Sequence, residues 1–296
     1  MPLPKRKEEL APYRFECRCP RCKNDLNVYQ VCAASPGVDL HDFSLAPTVD
    51  KVKQHPAVAR ASEFKQVFKQ AADDFQAFGK KLKPWVSTAE RRQYLRDHYR
   101  RCEELVKNDL WAVSPVPEIL SEISQLYVEE EDYSNALLVS CITATACDPY
   151  RFPSPFHPVR VTELAKIARL LSNTAPGILD QANAVVTQRA TANVEAKAQQ
   201  ALRDIDQTAL SQMLCIMVVQ LTQLEYIREL SAAQSAREIL DDIRGLPGRD
   251  KELSLISSWA QNPKDEASRA FFKFAVVDQV HNLAELGKSL LRQDFV

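Results

Sequence analysis

Six glycines in 296 residues restrict this chain more than any other feature. A doubly wound nucleotide-binding fold, or a protein of many β-hairpins, places glycine at its tight turns because glycine alone enters the left-handed backbone region freely. So small a supply points to helices. Hydrophobic residues make up 45% and charged residues 26%, the ordinary globular range, and this length can bury a sizeable core.

Apolar periodicity agrees. Phe64, Val67, Phe68, Ala71, Phe75 and Phe78 fall at three- and four-residue steps, which places them on one helical face. Lys80, Lys81 and Lys83 suit the end of that helix, and Pro84 stops it. Ser87 or Thr88 introduces a second helix carrying Tyr94, Leu95, His98, Tyr99, Cys102, Leu105 and Val106. Ser114-Pro115-Val116-Pro117 is a break and a restart. Two helices follow around the acidic turn Glu129 to Asp132, which reads as a solvated connection. Ala136, Ser140 and Ala144 recur every four residues and let a neighbouring helix come close.

After a proline-dense loop, Val159 to Leu171 is helical, 180–200 is an exposed helix, and Asp204 to Leu230 is a long internal one. Ala232 to Ile243, Leu253 to Trp259 and Ala267 to Leu291 complete the series. No convincing strand pair occurs. The expected fold is all-α, an antiparallel helical array of the tetratricopeptide-like, solenoid kind. A cysteine-rich segment over 1–32 precedes it, 33–56 reads as a linker, and the helical domain covers 57–296.

Lys and Arg total 38 against 39 Asp and Glu, a balance that argues against a chain built to coat nucleic acid or an anionic membrane. The longest apolar run, Met213 to Val219, is far too short for a bilayer. No signal peptide is visible, so the expected location is intracellular, cytoplasmic or nuclear. Five histidines show no ligand spacing: His98 reads as a partly buried helix residue and His157 as part of a helix start. Glycine-rich phosphate loops, zinc-protease motifs and serine-nucleophile elbows are all missing.

Cysteine carries the chemistry. Cys102, Cys141, Cys147 and Cys215 sit in apolar helical patterns and read as small buried hydrophobes. Cys17, Cys19 and Cys22 crowd together within a basic stretch containing Arg14, Arg18 and Arg21. Thiolates at this spacing can converge on a tetrahedral zinc, and the arginines favour the ionised thiol; the plainer alternative is three unmetallated thiols on a flexible tail. Three sulfurs leave one position open. Cys32, His41 or a group from another polypeptide is the candidate for it.

The pattern Leu10, Tyr13-x-Phe15-x-Cys17-x-Cys19-x-x-Cys22 resembles the post-SET region of protein lysine methyltransferases, most closely the SET and MYND domain family and its fungal-type relatives. Phe156-His157-Pro158-Val159-Arg160 resembles a segment in that family's C-terminal helical domain. The resemblance is strong over 6–26, recognisable over about 115–172 and faint elsewhere. It implies that Cys17, Cys19 and Cys22 are zinc ligands, sharing the ion with a fourth cysteine of a SET core. It also implies that Tyr13 walls a lysine channel and that Phe15 packs near the adenine of S-adenosylmethionine; hydrophobic anchoring of the zinc loop is the plainer role for both.

The Asn-His-Ser-Cys motif of a SET core is missing here. The expectation is therefore the C-terminal part of such a methyltransferase, without its catalytic core, that binds a protein or peptide through the helical array. The alternative is S-adenosylmethionine-dependent lysine methylation once a longer product supplies the core. An incomplete gene model is the third reading.

Overall fold

The structure is a computed structural model, and it describes residues 10–13, 17, 19–35, 43–78, 87–172, 206–222 and 231–296. Among these residues every regular element is helical. The all-α array and the cysteine-rich N-terminal segment are both present. Phe15, His41, the lysines at 80–83 and the helix expected at 180–200 lie outside the described residues.

Two short helices come first, α1 (Pro20–Lys23) and α2 (Val28–Ala33). Asn27 caps α2 in a reciprocal box: its side chain accepts from the Gln30 N–H, and Gln30 accepts from the Asn27 N–H. Such a box satisfies two amide donors that a bare helix end would leave unpaired. Then come α3 (Val49–Gln54), α4 (Pro56–Ala59) and, after one 3-10 turn, α5 (Lys65–Phe78). Ser87 caps α6 (Thr88–Arg101) with Glu90 closing the box, and α7 (Glu103–Lys107) follows.

The centre is a hairpin of α8 (Val116–Glu129) and α9 (Tyr133–Ile142), with Asp132 capping the second helix through the Asn135 N–H. Every residue of α9 from Ser134 to Ile142 is buried. The small-residue stripe meets α8, where Ser124 donates to the Ala136 carbonyl and lies 3.1 Å from the Ser140 hydroxyl. The acidic turn is not merely solvated. Arg91 of α6 holds Glu129 at 2.6 Å and Glu122 at 2.7 Å, and Arg92 pairs with Glu130.

A π-helical turn at Thr143–Cys147 runs into α10 (Asp148–Arg151). The proline-rich loop delivers α11 (Pro158–Ser172), where His157 accepts from the Val159 N–H at 3.3 Å, the helix-start role its sequence position suggests. Farther on come α12 (Gln207–Thr222), α13 (Ser231–Arg244), α14 (Asp250–Gln261), α15 (Glu266–Phe272) and α16 (Gln279–Asp294). Helix α12 packs between α11 and α13, while α16 returns to lie against α9.

Residues 33–56, read from sequence as a linker, hold α3 and feed the core. Phe43 meets Trp259 edge-on at 5.1 Å, and Trp259 stacks on Phe272. Leu45 and Val52 are buried as well. Tyr29, inside the expected cysteine-rich segment, is fully buried; its hydroxyl donates to the Asp109 carbonyl and accepts from the Ala112 N–H. His55 stacks on Tyr29 at 3.9 Å. The body of the molecule therefore begins at Val28. Isolated aromatic residues carry no period, so the sequence pattern does not mark this arm as core.

Gly287 is the tightest point. A Cβ there would stand 2.6 Å from the Leu138 carbonyl oxygen and 2.9 Å from its carbon. Alanine gains about 1 kcal/mol of helix propensity, but overpacking a core costs about 1–3 kcal/mol, and the obstacle here is backbone. Gly287→Ala is expected to lower the unfolding free energy by about 1–2 kcal/mol; an unchanged urea midpoint would show that α16 can lift from α9 freely.

Asp148, 1% exposed, gives a second test. Burial first, then the charge of Glu163, pushes its carboxyl from 3.8 up to about 7, against the opposing pull of Arg151 and Arg160. The unfolded chain releases this proton more readily than the folded one. Asp148 therefore contributes stability that is complete below pH 3.8 and lost as pH rises through about 7. The slope is at most about 1.4 kcal/mol per pH unit. Asp148→Asn is expected to remove it, as read from denaturant midpoints between roughly pH 5 and 8. An identical pH profile in the variant would refute the assignment.

Candidate metal centre

The thiols of this protein fall into two groups. Cys32, Cys102, Cys141, Cys147 and Cys215 are buried, and burial holds all five in the neutral form. It pushes Cys32 up to about 11 and Cys102 and Cys215 up to about 12, and it raises Cys141 and Cys147 as well. These are packing residues, as their apolar helical settings imply. Cys17, Cys19 and Cys22 are half-buried or exposed.

Helix α1 creates the cluster. Its single turn, closed by the Lys23 N–H on the Cys19 carbonyl at 2.9 Å, folds Cys22 back over Cys19. Beyond it Asp25 takes the left-handed conformation at φ 47, which reverses the chain towards α2; aspartate tolerates that region better than most residues. The three Sγ atoms lie within 4.8 Å of one another. The Cys22 N–H, followed by the thiols of Cys17 and Cys22, lowers Cys19 to about 7. Hydrogen bonds to the thiolate form favour ionisation, as ligation requires.

The donor set fits zinc geometrically. Sulfurs at about 2.3 Å from a tetrahedral ion are about 3.8 Å apart, so the observed separations need to close by no more than about an ångström. Five residues separate Cys22 from Val28, at most about 20 Å of chain, which ties the cluster to the helical body at the anchored Tyr29.

Cys32 does not join this group. It sits on α2 inside the body, its thiol directed at the Pro149 carbonyl at 3.7 Å, and no fourth His, Cys, Asp or Glu ligand accompanies the three sulfurs among the described residues. Tyr13, in a 3-10 turn, is 79% exposed. His98 is buried among Tyr94 and Phe78, and burial depresses its proton affinity. Sequence reasoning missed Asp148 and Arg160, both buried charged groups; the proline-dense loop between them was the available signal.

The cluster makes a definite prediction. Purified protein refolded with cobalt as a zinc surrogate should show thiolate-to-metal charge-transfer absorption and one ion per chain. Cys19→Ser should weaken binding by at least about tenfold; equal affinity in the variant would mean the metal sits elsewhere.

No family model, curated protein or solved structure matches the chain.

Proposed function

We propose that this chain is the post-SET and helical C-terminal part of a protein lysine methyltransferase of the SET and MYND type, and that it works by binding a protein or peptide through its helical array. The observation that carries this reading is the convergence of Cys17, Cys19 and Cys22 within 4.8 Å, on the spacing that resembles a post-SET region. The second resembling segment supports it, since His157 and Pro158 start α11 and Arg160 turns inward from it.

In this reading Cys17, Cys19 and Cys22 hold zinc, and the fourth ligand comes from outside the described residues. Zinc, when bound, supplies a cross-link that folds the head; it takes no part in group transfer. Tyr13, exposed as it is, becomes available to wall a lysine channel only against a docked SET core. The same open coordination position favours the second reading, in which S-adenosylmethionine-dependent lysine methylation appears once such a core is supplied. Eight cysteines without a disulfide suit a reducing compartment, and no described helix is long and apolar enough to cross a membrane. The location proposed is intracellular.

Titration calorimetry of the isolated chain with S-adenosylmethionine tests the reading. No binding heat is expected, and no transfer of labelled methyl to histones or other proteins. Micromolar binding of the donor would overturn the binding-module reading. An in-frame Asn-His-Ser-Cys encoded upstream of the Met1 codon would favour the second reading and an incomplete gene model alike.

A further inference from the structure

Away from the cysteines, a small recess separates two buried charges. Asp148, at the start of α10, is 1% exposed, and neither carboxylate oxygen has a hydrogen-bond partner among the described residues. Arg160, on α11, is 6% exposed. Its Nη1 donates to the carbonyls of Phe152 and Pro153 at 3.2 and 3.1 Å, and its Nη2 donates to the Ser44 hydroxyl at 3.0 Å. The two charges both line the recess yet form no ion pair with each other. Phe43, Leu45, Pro155 and Leu164 supply its apolar walls.

The chemistry of the two ends selects the occupant. A guanidinium offers five N–H donors and no acceptor, and the three bonds made here leave donors to spare. The carboxyl group lacks any donor. A cation is repelled by Arg160 and an anion by Asp148. What fits both is a neutral group that accepts at one end and donates at the other. The cavity, ≈ 10 Å³, is at the lower bound of room for one water, about 10–15 Å³.

We propose that this recess is a binding site for one ordered water molecule, which joins Asp148 to Arg160 and so latches the Phe43–Leu45 strap onto the helical body. Ser44 reaches the body through Arg160, which the Phe152 and Pro153 carbonyls hold from one side and the water would hold from the other. The site serves either protonation state of Asp148, because water donates to a carboxylate and accepts from a carboxylic acid. The charged groups acting on Asp148 are Glu163 and Arg160 from α11, Arg151 from α10 and Glu118 from α8.

A crystal structure at a resolution that shows ordered solvent tests the site. The expected result is one water peak within hydrogen-bond distance of both Asp148 and Arg160. A direct contact between the two side chains, or no density, overturns the proposal. The latch is tested by Ala144→Val, which adds a side chain to the wall formed by Ala144 and fills the space. Amide exchange at Phe43, Ser44 and Leu45 is expected to quicken by roughly tenfold, while Asp148→Asn, which can still bind the water, leaves it close to wild type. Unchanged exchange in Ala144→Val refutes the latch. Should that variant fail to fold, water-to-amide magnetisation transfer at Ser44 in the wild-type protein decides instead: slow transfer supports the latch, and transfer as fast as at an exposed loop amide refutes it.

Discussion

The burial of α9 on every side is the constraint on which the rest of this structure depends. A helix that is apolar all round has no solvent face, so neighbours must cover the whole of it. Helix α8 covers one side through the small residues Ala136 and Ser140, α11 another, and α16 a third, where Gly287 rests on the Leu138 backbone. Tight approach on two faces leaves the helix no room to rotate, because packed interiors tolerate little change of volume. The arginines of α6 and the acidic end of α8 then hold the hairpin from outside. Exposed ion pairs contribute little each; their role here is to fix the angle of α6.

The N-terminal arm depends on the same body. Tyr29, His55 and Tyr150 form a ring cluster at its root, and Phe43 reaches across to Trp259. The cysteine head therefore projects from a fixed base. A short tether thus keeps the cluster of three thiols close to the helical body.

Much of the helical pattern was legible from residues alone. Ser87 caps where a capping serine belongs, His157 starts a helix, and the scattered cysteines are buried. The cysteine cluster was legible because its three ligands are close in sequence and one turn suffices to gather them. Three features were not. Cys32 is near the cluster in sequence, but Tyr29, three residues before it on the same helix, carries both into the core. Phe43 and Leu45 lie in a stretch without period and take their place only because Trp259 lies opposite. The acidic turn looks solvated until α6 brings Arg91 and Arg92 beside it.

Local order, then, was decided by the chain: scarce glycine, helical spacing, caps and the three clustered thiols each act over a few residues, where the energetics are those of a single turn. The tertiary structure alone decided which helix is central, that Phe43, Leu45 and Val52 of the supposed linker are buried, and that Asp148 and Arg160 line one recess. Those outcomes rest on contacts between positions more than a hundred residues apart, such as Ser44 with Arg160 and Leu138 with Gly287. No pattern within one segment records its distant partner, because the energy of such a contact exists only once both sides have been brought together.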